Sequence, residues 1–301
     1  MNPPLHSKKR FLITLFFIAL FFMIIPLVIL YSTGYRLDKG FSLTPTGGMY
    51  VFYPESGAEV YLNGVLSDQT SLFERGIFIN ELDPEVFSVE VRKTGYLPWK
   101  KTITVEERRV AEAYPFLVPE TVSTSSIQRF VTLASGTSVT NALYEDVVDL
   151  FTATTSKVVA TSSVKTATST QIVIRKDIAL SITGANKEKQ LVASWKGTKD
   201  ATPFYFCDSQ RLMCKASLTV AQGDIRDVDF YPGRTDVVIY TTADGLYAAE
   251  LDLRADQNVR KLLPGTLQFK EDDQRVFVKE KGAYYELLFT ASSTLTHAPT
   301  I

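Results

Sequence analysis

The chain has 301 residues, 45% of them hydrophobic, and a formal net charge of -1 with a sequence pI of about 6.2. This length leaves room for about two domains, each with its own hydrophobic core. The balanced charge, with no basic stripe along the sequence, argues against nucleic-acid binding.

The first patterned segment is an apolar run over residues 11–31. At 1.5 Å per residue the run spans roughly 30 Å, which matches the bilayer hydrocarbon, and membrane helices tolerate a proline such as Pro26. The apolar core of a signal peptide is shorter, roughly 7 to 15 residues. The run therefore favours an uncleaved anchor, and the alternative is a signal peptide cleaved near Ser32 and Gly34.

The charges on either side of the run predict its direction in the membrane. The basic residues before it are Lys8, Lys9 and Arg10, and those after it are Arg36 and Lys39. Under the positive-inside rule this bias places the N-terminus in the cytoplasm and everything after residue 35 outside the cell membrane. The sequence thus predicts a cytoplasmic tail (1–10), a single transmembrane signal-anchor helix (11–31) in contact with the lipid bilayer, and a linker (32–47).

Residues 48–118 have the alternation of a small β domain. Apolar and polar residues alternate over 58–62, ahead of Asn63-Gly64, a pair typical of a type I′ hairpin turn. The segments 87–91 and 99–105 alternate as well, with Lys101 as the exception in the second. We therefore expect an antiparallel β structure.

An ordered series of residues in this segment resembles the PEGA domain family. The matching positions are Pro54, Gly57-Ala58, Val60, Asn63-Gly64, Thr70, Val91, Gly95-Tyr96, Pro98-Trp99 and Val105. Ser71 stands where the family usually has proline, and Glu85 where it usually has glycine. The resemblance implies a small β-sandwich on the outer side of a bacterial envelope, and it brings no catalytic residue.

A second β domain is predicted over residues 127–296, between a linker (119–126) and a tail (297–301). Its clearest unit has four strands at 226–231, 236–241, 245–253 and 259–263. A unit of about forty residues with four strands has the size of one propeller blade. The stretch 267–289 repeats the shape with three strands, 178–218 fits another blade, and 127–170 a degenerate one. No sustained helical period is found beyond the anchor.

The four-stranded unit resembles the repeats of TolB-type and WD40-like propellers. The resemblance implies a β-propeller-like domain, complete or incomplete, and the alternative is an irregular sandwich. The predicted fold class is therefore all-β with one N-terminal transmembrane helix, a PEGA-like β-sandwich and a β-propeller-like domain.

The two cysteines, Cys207 and Cys214, both fall on the predicted outer side. A polar turn at 208–211 predicts a hairpin that places them opposite each other. In an oxidising compartment they would form a disulfide, and the alternative is two free thiols packed as small hydrophobic groups. Two cysteines without a nearby histidine do not predict a zinc site.

Catalytic chemistry finds little support in the sequence. The only histidines are His6 and His297, outside the predicted domains, which argues against histidine-dependent nucleophiles and histidine-ligated metals. No glycine-rich phosphate loop is present, so no cofactor is predicted. Asp227 and Asp229 alternate onto one face of a strand, as an acid pair of the kind that glycosidases use or as solvated turn residues.

Aromatic residues give the better candidate for binding. Tyr96 and Trp99 lie at a predicted bend, either packed in the core or partly exposed to a sugar or protein partner. The sequence predicts a non-catalytic binding or scaffolding protein of the bacterial envelope, with cell-wall glycan or an envelope protein as partner. The alternatives are a glycan hydrolase that uses Asp227 and Asp229, and an extracytoplasmic sensor or assembly factor.

Overall fold

The computed structural model describes residues 7–37, 42–53, 56–70, 76–132, 136–153, 172–185, 188–208 and 213–289. His6, Pro54, Ser71, residues 154–170 of the predicted degenerate blade and the tail 297–301 lie outside the described residues. In the described part, β-strands dominate and two α-helices occur, one of them N-terminal and apolar. The predicted all-β fold with an N-terminal helix is confirmed at this level.

The N-terminal helix α1 covers Ser7–Ser32, and its apolar side chains are exposed along its length. Over Lys9–Ser32 it is long and apolar enough to cross a membrane, and it is not buried against the rest of the described chain. Pro26 lies inside the helix without ending it. A helix with this surface needs an apolar environment from outside the described chain.

The end of α1 is fixed to the first β unit by hydrogen bonds and an ion pair. A short hairpin follows the helix, formed by β1 (Tyr35–Leu37) and β2 (Leu43–Pro45). The Thr46 amide donates to the carbonyl oxygen of Gly34 at 2.7 Å, and the Arg108 amide donates to that of Thr46 at 2.8 Å. The Arg36 Nε atom lies 2.8 Å from Oε1 of Glu81 on the first β unit.

The first β unit consists of two sheets. Its strands are β3 (Gly47–Phe52), β4 (Glu59–Leu62), β5 (Val65–Gln69), β6 (Gly76–Leu82), β7 (Val86–Arg92), β8 (Trp99–Thr104) and β9 (Val110–Ala113). One sheet has the order β6-β3-β9, with β9 parallel to β3, and the other has the antiparallel order β5-β4-β7-β8.

The inward faces of these two sheets share one hydrophobic core. Alternate residues of each strand point to the same face, so Met49 and Val51 from β3 meet Val89 and Val91 from β7. All four side chains are fully buried. The same cluster continues without a break into residues of the second β unit, including Ile239. The two units are therefore packed on each other through apolar surface.

In its described residues, the second β unit contains three four-stranded antiparallel sheets and one short two-stranded sheet. In chain order its elements are β10 (Ser123–Ile127), β11 (Phe130–Thr132), β12 (Ser138–Thr140), α2 (Ala142–Thr152), β13 (Ile172–Arg175), β14 (Ile178–Thr183), β15 (Lys189–Trp195), β16 (Ser217–Gly223), β17 (Val228–Phe230), β18 (Val237–Thr241), β19 (Gly245–Glu250), β20 (Val259–Pro264), β21 (Gln268–Asp272), β22 (Arg275–Glu280) and β23 (Ala283–Leu288). Sheet A has the order β13-β14-β15-β16, sheet B β17-β18-β19-β20, and sheet C β10-β23-β22-β21.

The three sheets contact one another through one edge strand of each sheet. Strand β17 of sheet B contacts both β13 of sheet A and β21 of sheet C. One hydrophobic cluster lies between sheets A and B, and residues of sheets B and C belong to the cluster shared with the first unit. The far face of sheet C is covered by α2, whose Val147 packs with Phe277 and Tyr284.

Most strands predicted for residues 226–289 correspond to observed strands. The four-stranded unit is sheet B, and the three strands that follow it are β21, β22 and β23. The observed strands start and end within a few residues of the predicted ones. The alternation and the turn residues carried enough local information to define them.

Three expectations about the second unit are wrong. Residues 119–126 are not only a linker, because β10 begins at Ser123 and pairs with β23 to complete sheet C. The described part of residues 127–170 is not a degenerate blade, because α2 (Ala142–Thr152) occupies most of its second half and packs on sheet C. The strand predicted before the cysteine turn is not formed, because Phe204–Phe206 is a 3-10 turn, although Cys207 and Cys214 do lie opposite each other in an antiparallel bridge as predicted.

Candidate functional site

A buried lysine joins the two β units. Lys101 on β8 points inward from the first unit, and its side chain has 0% exposure. Its Nζ atom lies 2.5 Å from Glu250 Oε1, donates to the carbonyl oxygen of Asp252 at 2.6 Å and lies 3.5 Å from Asp252 Oδ2. Glu250 is the last residue of β19, and Asp252 follows that strand. Lys101 is the one charged residue on the inward face of β8, and these two partners in the second unit explain its position.

Further hydrogen bonds satisfy the two acidic residues of this joint. The Trp99 indole nitrogen donates to Glu250 Oε2 at 2.9 Å, and the Asn258 amide donates to Glu250 Oε1 at 2.8 Å. Arg254 binds Asp252 with two nitrogens at 2.9 and 2.8 Å. Burial alone would raise the pKa of Asp252, but the hydrogen bonds and charge of Arg254 and the charge of Lys101 outweigh it and leave that pKa lowered. We call this set the buried joint.

The buried joint corrects the expectation for Trp99. Trp99 is 1% exposed, so its ring offers no surface to a sugar or protein partner. Tyr96 is partly buried against the same core, and Lys93 Nζ lies 5.0 Å from the centre of its ring. The two aromatic residues thus pack within the protein, because the bend between them lies at the contact of the two units rather than at a free rim.

Asp227 and Asp229 lie where the three sheets meet. Asp229 on β17 lies 3.7 Å from the Arg175 guanidinium of sheet A, which also binds Glu271 of sheet C at 2.6 Å. The Asp229 Oδ1 atom accepts from the Phe230 amide at 2.7 Å, and Asp227 accepts from the Thr241 hydroxyl at 3.4 Å. The cluster therefore links one edge strand from each sheet.

Burial changes the titration of both acidic residues. Burial raises the pKa of Asp229 to about 6. The hydrogen bond from the Phe230 amide and the charge of Arg175 lower this pKa, and the charge of Glu271 raises it further. Burial also raises the pKa of Asp227. Both carboxylates bind groups of their own chain, and neither lines the cleft described below. Asp229 therefore takes part in a contact between the three sheets, and the acid pair stays a prediction.

The structure joins Cys207 and Cys214 in a disulfide. The bond closes a loop after Phe204, Tyr205 and Phe206, which are all buried between sheets A and B. The Lys215 amide donates to the carbonyl oxygen of Phe206 at 2.7 Å, which extends the pairing beyond the bond. The disulfide thus fixes an aromatic segment that also forms one wall of a surface cleft.

This cleft is the principal candidate for a binding site. It has a volume of about 340 Å³ and lies between the first unit, the aromatic segment and the start of β18. Its lining contains three acidic and three aromatic residues and no basic residue: Glu112, Tyr114, Asp200, Ala201, Thr202, Pro203, Phe204, Tyr205, Thr235 and Asp236. We call it the acidic cleft.

The charges around the acidic cleft are partly compensated from behind. Arg234 binds Asp236 through Nε at 2.9 Å and also donates to the carbonyl oxygen of Pro115 at 2.8 Å. Asp200 is exposed at the mouth. Burial, and next the charge of Glu112, raise the pKa of Tyr114, while burial and next the charge of Asp236 raise the pKa of Tyr205. Neighbouring acidic residues thus contribute to the shifts of both tyrosines.

A row of aromatic rings leads across the first unit into the acidic cleft. The ring centres of Tyr50 and Phe52 are 6.5 Å apart, those of Phe52 and Tyr114 5.4 Å, and those of Tyr114 and Phe204 4.9 Å. We call these four residues the aromatic row. Tyr50 lies flat against the sheet because Gly76 beneath it has no side chain, and a Cβ there would lie 2.6 Å from the Tyr50 hydroxyl.

Sequence reasoning missed the acidic cleft because its walls come from three distant segments, 112–114, 200–205 and 235–236. Only the run of aromatic residues at 204–206 after Pro203 gave a local signal. One indication of the buried joint is present in the sequence, because Lys101 breaks the apolar alternation of its strand. The partners of the joint lie about 150 residues further along the chain, with a separation of 151 for the Trp99–Glu250 contact.

No family model matches this chain, and no curated protein matches it. The function is therefore inferred from the geometry described above.

Proposed function

We propose that this protein is a non-catalytic binding or scaffolding protein of the bacterial cell envelope. In this proposal α1 anchors it in the membrane and both β units lie on the outer side. The observation that carries the proposal is the buried joint. Because Lys101 binds Glu250 and Asp252 without access to water, the two units form one rigid platform at the end of an apolar helix.

Two further observations support the outer location. The disulfide between Cys207 and Cys214 is typical of an oxidising compartment, since thiols stay reduced in the cytosol. Basic residues, among them Lys9 and Arg10, precede the apolar run within α1, which favours a cytoplasmic N-terminus.

The finer fold assignment is part of the same proposal. We assign the first unit as a PEGA-like β-sandwich, because its three-stranded and four-stranded sheets share one core. We assign the second as an incomplete propeller of three blades, because three antiparallel sheets meet at β13, β17 and β21. In sheet C the blade is completed by β10, which returns from the start of the unit.

Labelling of single cysteines in spheroplasts tests the topology. The native cysteines are joined in a disulfide, so an introduced cysteine at exposed Ser88 is the only free thiol. We expect Ser88→Cys to react with a membrane-impermeant maleimide in sealed spheroplasts, and the matched Ser7→Cys to react only after permeabilisation. The reverse pattern would contradict the proposed orientation, and release of the protein by carbonate washing would contradict the anchor.

A further inference from the structure

The acidic cleft and the aromatic row adjoin each other, since Tyr114 and the buried Phe204 belong to both. We propose that this surface binds an extended peptide segment of another envelope protein, with a lysine or arginine side chain in the acidic cleft and apolar side chains along the aromatic row. The inference rests on the proposed function, because it names the class of partner that the anchored platform binds.

Charge complementarity identifies the group that enters the acidic cleft. The lining residues include Glu112, Asp200 and Asp236 and no lysine or arginine. Arg234 is bound to Asp236, and Asp200 is exposed at the mouth. The carboxylates would repel a carboxylate or phosphate ligand. An ammonium or guanidinium group would be attracted to the carboxylates and could also make cation–π contacts with the aromatic rings. Arg254 lies 4.6 Å from the centre of the Phe204 ring but outside the lining of the cleft, so one face of that ring is already covered.

The spacing of the aromatic row fits an extended chain. Neighbouring ring centres are 4.9 to 6.5 Å apart. Side chains on the same side of an extended strand repeat every ~6.7 Å, which is close to the 6.5 Å between Tyr50 and Phe52, so alternate residues of a bound peptide would contact these two rings. Phe78 lies near the far end of the row, 56% exposed and packed over Gly48, and it continues the apolar surface away from the cleft.

A neutral glycan is favoured less by the same observations. Aromatic rings also stack on sugars, but a neutral sugar gains little from a cleft with acidic residues and no basic ones. Concave sites bind through apolar surface and a few polar groups whose charge matches the ligand. Here the matching charge is positive, which a basic peptide supplies.

Calorimetric titration of the full-length protein in nanodiscs tests the inference. The probe is the capped peptide acetyl-Tyr-Ser-Tyr-Ser-Lys-amide, whose tyrosines and lysine share one side of an extended chain. We expect saturable binding at one site that weakens as NaCl is raised. Asp200→Asn should weaken it about 3-fold, as for one exposed ion pair, and Tyr114→Leu about 5-fold or more.

Matched variants separate this site from general effects on the surface. Asp83→Asn removes an exposed carboxylate outside the cleft, and Tyr61→Leu removes a partly exposed aromatic ring of the other sheet, so both should bind the peptide as the wild type does. Asp200 is exposed, so its replacement should leave folding intact even if Tyr114→Leu does not fold.

Three results would overturn the inference: no binding of the lysine peptide, equal binding of the same peptide ending in glutamate, or binding of hexa-N-acetylglucosamine in its place. The peptide could fail to bind while Ser88→Cys is labelled from outside and the protein stays in the membrane. In that case only the inference about the partner is wrong, and the proposed anchored platform stands.

Discussion

Lys101 is the residue on which the association of the two β units depends most. A buried ammonium group loses its hydration, and this cost is offset only when charged and hydrogen-bonding partners surround it. Glu250 and Asp252 provide that environment, and Trp99 and Arg254 occupy their remaining oxygen atoms. Removing the lysine leaves two buried carboxylates with one cation fewer, which is more costly than the loss of one contact.

We expect Lys101→Met to lower the free energy of unfolding by about 3 kcal/mol, since removal of one partner of a buried ion pair typically costs about 3–5 kcal/mol. Urea denaturation measures the change. The neighbouring Lys100 has a side chain that is 62% exposed, and Lys100→Met should stay within about 0.5 kcal/mol of the wild type. Equal stability of the two variants would show that the joint contributes nothing specific.

Asp229 gives the protein a predicted dependence on pH. Its pKa is raised from 3.8 to about 6 in the folded state, so folded protein takes up a proton between about pH 7 and pH 4 that the unfolded chain does not. Stability from this residue therefore increases as the pH falls through that window, by about 2 kcal/mol.

Comparison of wild type with Asp229→Asn isolates this contribution, because asparagine does not titrate. The free energy of unfolding of wild type minus that of the variant should rise as the pH is lowered from 7 to 4 and then level off. The exposed Asp83→Asn variant controls for the loss of one carboxylate. A difference that stays constant, or that falls toward low pH, would contradict the burial of Asp229.

Among the elements, the disulfide-closed segment links stability to the acidic cleft. The bond joins residues with a sequence separation of 7, and the aromatic residues before it pack between sheets A and B. A loop of this size predicts a loss of about 2 kcal/mol in the free energy of unfolding when the bond is removed.

The double variant Cys207→Ala and Cys214→Ala should show this loss, and dithiothreitol should lower the stability of the wild type by the same amount. Dithiothreitol should not affect the variant. If the reductant leaves the wild type unchanged while free-thiol titration shows that the bond is reduced, the disulfide is not a stabilising element.

The elements differ in how far the sequence predicted them. Sheet B was predicted strand by strand, because its alternation and turns are local. Strand β10 was missed because its polar residues from Ser123 give no alternation, and only the distant β23 makes it a strand. Helix α2 was missed although Leu143, Val147 and Phe151 follow a helical spacing after the capping residue Asn141, because β-favouring residues dominate the segment.

On the scale of the whole molecule, the candidate site depends on how the two units pack. The acidic cleft exists only where residues of both units meet, so no local pattern could have predicted it. The shared core and the buried joint fix this packing, and the hydrogen bonds between Thr46 and Gly34 fix the first unit to the end of α1. The cleft is therefore preformed, and in the proposed membrane orientation it lies at a set distance from the bilayer.

The distance between the two units, measured by pulsed electron paramagnetic resonance, tests the rigid platform most directly. Spin labels at Ser88→Cys and Thr219→Cys, both exposed, report on the first unit and on sheet A of the full-length protein in nanodiscs. The account predicts one narrow distance distribution in the wild-type background, which broadens when Lys101→Met is added. A broad or multi-peaked distribution in the wild-type background would show that the units move independently, and it would contradict the rigid platform.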